Sequence, residues 1–95
     1  MPARTVEHLL QSYGGNAAAV LELTRRREAL KRPLVDDLPH IEAEVVYAAR
    51  HEMALTVEDV LARRTRIRLL ARDGGAGCVA RVTQLLAEES QGITG

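Results

Sequence analysis

The sequence predicts an all-α protein, a small bundle of about five helices with a tight helical hairpin over residues 40–64. Apolar residues recur at helical spacing in several windows, beginning with Val6, Leu9 and Tyr13. The chain has no Phe and no Trp, so its core must be built from Leu, Val, Ile and Ala, which suits packed helices. No window alternates clearly enough to indicate a strand.

Length and composition limit what the chain can do. With 95 residues it is predicted to form one domain over residues 1–95, too short for a dinucleotide fold together with a substrate domain. Its 13 basic and 13 acidic residues cancel, so no global field attracts nucleic acid or acidic membranes. Cys78 is the only cysteine, which fits a reducing compartment. Without a membrane-spanning run or a signal-peptide core, a soluble, cytoplasmic protein is expected.

The first two helices are delimited by their end signals. The opening helix stops at Gly14 and Gly15, because glycine readily ends a helix. Asn16 is predicted to cap the second helix, which ends near Arg27 or Glu28, where basic side chains suit the helix dipole. The residues expected on its buried face are Ala17, Val20, Leu21 and Thr24.

The hairpin follows an apolar loop. Pro33 forbids a continuous helix over residues 29–38, so this segment is predicted to lie as a loop against the core. Pro39 can start the third helix, which is expected to continue to about Met53. Thr56, with Asp59 three residues later, resembles a capping box at the start of the fourth helix. Since two residues separate the helices, the turn is tight.

The last third of the chain is less regular. An extended connector or a ragged helical end is predicted over residues 65–72, with Ile67, Leu69 and Leu70 as its anchors. The run Gly74–Gly77 breaks any helix. It precedes a final helix with a clean apolar stripe, formed by Cys78, Val79, Val82, Leu85 and Leu86. From Ser90 onward, a frayed tail is expected.

Two charged residues fall where apolar residues belong in the hairpin. At about 100° per residue, Glu52 lies in the stripe centred on Ile41, Val45 and Ala48. Arg64 likewise projects among Val57, Val60 and Leu61. Because a lone buried charge is costly, Glu52 and Arg64 are predicted to form a buried ion pair inside the hairpin. Removal of Arg64 should then cost roughly 3–5 kcal/mol.

Metal binding and catalysis are not indicated by any familiar spacing. The candidate ligands are His8, His40 and His51 with Glu42, Glu44 and Glu52, but no HExxH run or paired CxxC motif is present, so no metal site is predicted. Glu44, Tyr47 and His51 share one side of the third helix, which would allow proton transfer in a cleft. A polar stripe that is exposed or faces another domain is the favoured interpretation. No nucleophile with its base is recognisable, so catalysis by this chain alone is not expected.

Two features of the sequence resemble phosphate-binding and nucleic-acid-binding elements. The glycine run lacks the spacing of a phosphate-binding loop and is predicted to be a flexible turn. The arginines near the hairpin suggest a nucleic-acid surface, and the hairpin mimics a helix-turn-helix; they are Arg63, Arg64, Arg66, Arg68 and Arg72. Against this, Glu58 and Asp59 would repel phosphate at the start of the fourth helix. The alternative function is therefore a free-standing helical regulator that binds nucleic acid through Arg63, Arg66 and Arg68.

Three segments carry a family resemblance. They are SYGG (residues 12–15), PLVDDLPHIEAE (33–44) and AEVVYAARHEMALTVEDVLARRTR (43–66). In order and spacing they resemble the C-terminal helical domain of FAD-dependent glycerol-3-phosphate dehydrogenases and the related alpha-glycerophosphate oxidases. Two departures are the glycine-rich segment 73–78 and the lack of an aromatic ending after Glu89.

The resemblance implies a parent enzyme that oxidises glycerol 3-phosphate to dihydroxyacetone phosphate, reduces FAD and passes electrons to a quinone or oxygen. FAD would be held by a larger N-terminal domain, expected to be absent from this chain, so no catalytic, cofactor-binding or metal residue is assigned here. The chain would be an accessory domain whose partner is the flavin domain, with His51, Arg63 and Thr65 as a possible interdomain surface. No nucleic-acid partner is expected. The parent would associate peripherally with the inner face of a membrane.

Overall fold

The fold is a helical bundle, as predicted. A computed structural model describes residues 2–54 and 56–91. The α-helices in that part of the chain are α1 (Ala3–Tyr13), α2 (Ala17–Arg26), α3 (Glu42–His51), α4 (Ile67–Leu70) and α5 (Val79–Gln91). Short 3-10 turns join several of them, and a π-helical segment, Asp59–Arg64, forms most of the second arm of the hairpin.

Helix α3 is the centre of the bundle. It packs against α2 on one side and α5 on the other. The predicted stripe of Ile41, Val45 and Ala48 is buried, but so is every other residue from 42 to 48. Because neighbours surround this helix, the one-sided pattern of a surface helix does not apply to it. Two carboxylates, Glu42 and Glu44, are consequently inside the protein.

The first two helices begin and end close to the predicted residues, but one predicted helix cap is absent. Helix α1 ends at Gly14, which has φ 53° and donates its N–H to the Leu10 carbonyl. The predicted cap at Asn16 is wrong, because its side chain makes no capping hydrogen bond. Asn16 instead belongs to the 3-10 turn Gly14–Asn16, which continues directly into α2, so its backbone is already helical.

The loop before α3 packs on the core, as predicted. Leu30 is buried within a 3-10 turn, and an isolated antiparallel bridge joins Pro33 to Ile41. The Leu34 N–H also donates to the His40 carbonyl at 3.0 Å. This pairing keeps Ile41 extended, with φ −119° and ψ 164°, so α3 begins at Glu42 rather than at Pro39.

The second arm of the hairpin begins as predicted and then changes geometry. The Thr56 N–H donates to Asp59 Oδ2, and the Asp59 N–H donates to Thr56 Oγ1, each at 3.1 Å, which confirms the capping box. Beyond it, the Thr65 N–H bonds to the Val60 carbonyl at 2.8 Å, an i to i−5 bond typical of a π-helix. Leu55 in the turn lies outside the described residues.

The connector of residues 65–72 contains a short helix, α4, so of the two predicted alternatives the helical one is closer than the extended connector. Arg66 adopts a left-handed conformation, with φ 60°, and leads into α4. Of the predicted anchors, Ile67 is buried, whereas Leu69 and Leu70 are 75% and 56% exposed. Of the three predicted anchors, Ile67 is therefore the one that holds this segment to the core.

The final helix matches its predicted stripe. Cys78, Val82 and Leu85 are buried, while Val79 and Leu86 pack on the core at its edge. Helix α5 extends to Gln91, and the last four residues of the predicted tail lie outside the described part of the chain. None of the described helices is both long and apolar enough to traverse a bilayer.

Candidate functional site: a buried carboxylate between α1 and α3

Glu44 is at the centre of a polar cluster in the interior. It is 1% exposed and lies in the first turn of α3. Its Oε2 accepts a hydrogen bond of 2.7 Å from the Ile41 N–H, the bond that the glutamate of a capping box makes. Local helix geometry therefore turns this carboxylate back toward the start of α3, where α1 lies against it.

Helix α1 supplies two donors to the other oxygen of Glu44. His8 Nε2 lies 2.8 Å from Glu44 Oε1, and the Tyr13 hydroxyl donates to the same oxygen at 3.0 Å. Burial raises the pKa of Tyr13 well above its usual value, and the charge of Glu44 raises it further. Tyr13 therefore remains a protonated donor, and the carboxylate is tied to α1 through both side chains.

His40 completes the cluster from the end of the apolar loop. Its ring centroid is 4.3 Å from that of His8, and it is 4% exposed. Burial lowers the pKa of His40; Glu44 opposes the shift and His8 adds to it. The ring is therefore held neutral. Its Nδ1 is buried without a hydrogen-bond partner.

The polar stripe predicted on α3 is not an exposed surface. Tyr47 is 7% exposed, and its ring packs on Tyr13 with centroids 5.2 Å apart. On its other side it meets His51 at 4.8 Å, and His51 is exposed. Glu44, Tyr47 and His51 therefore run from the interior to the surface, and the interpretation as a solvated stripe is wrong for the first two.

The predicted pair of Glu52 and Arg64 meets at the surface rather than in the core. Arg64 Nη1 is 3.8 Å from Glu52 Oε2, and its Nη2 donates to the Glu52 carbonyl at 3.2 Å. Their side chains are 29% and 42% exposed, so the expectation of burial is wrong. Glu52 follows the last residue of α3 in a non-helical conformation, and the π-helical segment rotates Arg64 away from the phase of an α-helix.

The three residues predicted to form an interdomain surface do not share an environment. His51 and Arg63 are exposed. Thr65 is 4% exposed, and its hydroxyl donates to the Val60 carbonyl at 2.8 Å, so it is a structural residue of the π-helical segment. Thr65 therefore does not belong to that surface.

A partly buried ion pair does exist, between Glu42 and Arg81, which were not predicted to pair. Arg81 Nε and Nη2 donate to Glu42 Oε1 at 2.9 and 2.7 Å, joining α5 to α3. Glu42 is 6% exposed and Arg81 28%. The pKa of Arg81 is raised chiefly by this hydrogen bonding. A signal was present, since Arg81 follows Cys78 by three residues and precedes Leu85 by four on the same helical face.

Replacing Arg81 by alanine is expected to lower the free energy of unfolding by about 2–3 kcal/mol, because Glu42 would be left buried without its cation. Arg64→Ala is the matched control, because the carboxylate that it would leave, Glu52, is 29% exposed and can be solvated, and its cost should stay below about 1 kcal/mol. Urea unfolding followed by circular dichroism measures both. Equal costs for the two variants would contradict this assignment of the buried pair.

The remaining reactive groups are held in structural contacts. Cys78 is buried, its thiol donates to the Gly75 carbonyl at 3.2 Å, and burial raises its pKa, which disfavours the reactive thiolate. Arg68 of the arginine-rich segment pairs with Glu58 and donates to the Gly74 carbonyl at 3.0 Å. It is therefore unavailable to phosphate in this arrangement, which weakens the nucleic-acid alternative.

Comparisons with known proteins identify the domain. A family model described as the C-terminal domain of alpha-glycerophosphate oxidase matches residues 1–91. A probable mitochondrial glycerol-3-phosphate dehydrogenase of Dictyostelium discoideum is 38% identical over 87 residues, which are 92% of this chain and 14% of that protein. A mitochondrial glycerol-3-phosphate dehydrogenase of Arabidopsis thaliana is 38% identical over 89 residues, 94% of this chain and 14% of its own length.

A glycerol-3-phosphate dehydrogenase of the cyanobacterium Synechocystis is 34% identical over 84 residues, covering 88% of this chain and 15% of that protein. No solved structure matches the chain. The chain thus spans about one-seventh of the length of these relatives. The match to the family model covers all of the described helices. The chain belongs to the family of C-terminal domains typified by that of alpha-glycerophosphate oxidase.

Proposed function

We propose that this chain is the helical C-terminal accessory domain of an FAD-dependent glycerol-3-phosphate dehydrogenase. The parent enzyme would oxidise glycerol 3-phosphate to dihydroxyacetone phosphate and transfer the electrons to FAD held by its N-terminal domain. The observation that carries the proposal is the family match over residues 1–91, joined to relatives that are named glycerol-3-phosphate dehydrogenases.

The interior supports a scaffolding role without chemistry of its own. Its strongest polar contacts join helices to each other: Glu44 joins α3 to α1, and Glu42 joins α3 to α5. Each buried carboxylate is occupied by donors from a neighbouring helix, so the contacts hold the bundle together. The flavin and the substrate would then be bound entirely by the N-terminal domain.

The proposed interdomain surface consists of exposed residues of the hairpin. His51 and Arg63 are exposed, and Met53, in the turn between the two arms, is 78% exposed despite its apolar side chain. Exposed apolar and charged side chains are the mixture of groups that interdomain interfaces contain. We propose that these three residues contact the flavin domain.

The interface is tested by mixing this chain with a separately produced flavin-containing N-terminal portion of the parent and measuring the dissociation constant. Arg63→Glu should weaken binding roughly 5- to 10-fold, since reversing a charge in an interface introduces repulsion. Arg25→Glu, on the exposed side of α2, is the matched control and should leave binding unchanged. If both variants bind equally well, Arg63 is not at the interface.

A role in shaping the surface where the acceptor docks is a separate part of the proposal. In the intact parent enzyme, removal of this domain should leave reduction of FAD by glycerol 3-phosphate less affected than the transfer of electrons to a quinone. Stopped-flow flavin absorbance separates these two steps. A truncated parent with unaltered turnover, quinone reduction and membrane association would refute this role.

We propose a cytoplasmic location for the parent, with peripheral attachment to the inner face of a membrane through parts other than the described helices. The relatives from Dictyostelium and Arabidopsis are named mitochondrial. Fractionation of cells in high salt tests the attachment: a peripheral protein is released, whereas an enzyme that stays in the membrane pellet would contradict the proposal.

A further inference from the structure

The histidines and carboxylate between α1 and α3 have the composition of a metal site. One ligand atom from each of His8, His40 and Glu44 lies within 4.8 Å of the others. Around a tetrahedral Zn²⁺ with bonds of about 2.0–2.1 Å, neighbouring ligand atoms are roughly 3.3 Å apart. The cluster therefore needs side-chain adjustments and no rearrangement of its helices to surround an ion.

An unsatisfied nitrogen points to a ligand. His40 is only 4% exposed, and its buried Nδ1 has no hydrogen-bond partner. The tautomer with its N–H on Nε2 carries a lone pair on Nδ1, the nitrogen that has no partner. Buried polar atoms in native proteins are normally satisfied, and a neutral imidazole nitrogen with a free lone pair is the form that binds metal.

The other two residues are oriented as metal ligands are. His8 Nδ1 lies 3.2 Å from Ser12 Oγ, which leaves Nε2 facing Glu44. The Ile41 N–H holds Glu44 Oε2, and the Tyr13 hydroxyl donates to Oε1. Hydrogen bonds of this kind fix the ring orientation of ligand histidines and the position of ligand carboxylates.

We propose that His8, His40 and Glu44 bind a divalent transition-metal ion of the zinc class, which joins α1 to the first turn of α3. Two imidazole nitrogens and one carboxylate oxygen suit Zn²⁺, whereas Ca²⁺ and Mg²⁺ prefer oxygen ligands. On binding, His8 changes tautomer: its ring proton moves from Nε2 to Nδ1, where Ser12 Oγ can accept it, and the ion takes its place between Nε2 and the Glu44 carboxylate. A water molecule supplies the fourth ligand. His8, with 15% of its side chain exposed, is the entry point for the ion.

The sequence did not predict this site, because its ligands come from three separate segments of the chain. His8 lies on α1, His40 ends the apolar loop, and Glu44 is on α3. None of the usual short spacings between ligands is present, so motif analysis predicted no metal. Packing of α1 against the start of α3 brings the three together.

The test uses the 95-residue chain, stripped with a chelator and titrated with Zn²⁺ by calorimetry and with Co²⁺ by visible absorption. One ion per chain, a raised Tm with Zn²⁺ and an intense d–d spectrum from tetrahedral Co²⁺ are expected. His8→Ala should weaken binding at least about tenfold, as loss of a metal contact does. His51→Ala is the matched control, the remaining histidine, and should bind as the wild type does.

Several outcomes would overturn the proposal. Absence of Zn²⁺ binding by the folded wild type would do so, as would equal affinities in His8→Ala and the wild type. Loss of binding in His51→Ala alone would show adsorption elsewhere. A thiolate-to-cobalt charge-transfer band would assign the ion to Cys78. Should His8→Ala fail to fold, the Co²⁺ spectrum of the wild type decides, because it distinguishes nitrogen and oxygen ligands at a tetrahedral site from an octahedral aquo ion.

Discussion

Replacing Glu44 by alanine is expected to lower the free energy of unfolding by about 3–5 kcal/mol, the largest effect of any single substitution considered in this bundle. The carboxylate is 1% exposed and accepts from His8, Tyr13 and the Ile41 N–H. Alanine would leave all three donors buried or half-buried without an acceptor and would also open a cavity. Urea unfolding in the presence of a chelator measures the change without a contribution from bound metal.

Two further variants serve as controls. One keeps the volume of the Glu44 side chain while changing its hydrogen bonds, and the other removes a glutamate at an exposed location. Glu44→Gln keeps the shape of the side chain but turns one acceptor into a donor, so it should cost less than alanine, about 1–3 kcal/mol. Glu22→Ala removes an exposed glutamate from α2 and should change stability by less than about 0.5 kcal/mol. A Glu44→Ala protein as stable as Glu22→Ala would show that the carboxylate is not the hub of the contacts between α1 and α3.

Replacing Gly75 by alanine is expected to destabilise the protein by about 2–4 kcal/mol. Gly75 has φ +90°, which costs a side-chain-bearing residue about 1–2 kcal/mol. A Cβ there would also lie 2.8 Å from Ile67 Cγ2 and 3.4 Å from Leu61 Cδ1. Both neighbours are fully buried and have no room to move, so overpacking adds a comparable cost. The loss should appear as a lower midpoint of urea unfolding.

Gly15→Ala is the matched control for this substitution. Gly15 lacks a positive φ, and no atom lies within 4 Å of the position that its Cβ would take. Its substitution should change stability by less than about 1 kcal/mol. Should alanine at Gly75 be tolerated as well as alanine at Gly15, the turn before α5 would not be packed on Ile67 and Leu61.

In the glycine run, the sequence predicted the interruption of the helix but not the reason why glycine is needed there. Gly74–Gly77 was predicted to be a flexible turn, and a turn is found there. Composition alone does not reveal that one of its glycines is buried against Ile67 and Leu61, since that contact depends on how the turn packs on α4 and on the π-helical segment. The close approach of backbone to side chains then makes glycine necessary at position 75.

The charged pair of the hairpin was predicted correctly in its partners but not in its burial. The sequence indicated that acidic and basic residues of the hairpin would be paired, and Glu52 does meet Arg64. Their burial was wrong because one follows the end of α3 and the other lies in a π-helical segment, where rotation at about 100° per residue no longer holds. In the described part of the chain the buried carboxylates are Glu42 and Glu44, because every residue of α3 from 42 to 48 is covered by its neighbours.

The amino-acid sequence by itself determined the class of fold and most of the boundaries between helices. Gly14 ends α1, Thr56 and Asp59 cap the second arm of the hairpin, and the apolar stripe of α5 is buried. These features depend on residues close together in the chain, whose hydrogen bonds and periodicity are local. The family resemblance likewise rests on short sequence segments, and the family-model match over residues 1–91 confirms it.

The tertiary structure alone decided which charged groups are buried and which side chains meet. His8, His40 and Glu44 converge because α1 packs on the start of α3, and Arg81 reaches Glu42 because α5 covers the other side. Such contacts depend on how several helices pack together, and no periodicity within a single helix specifies its neighbours.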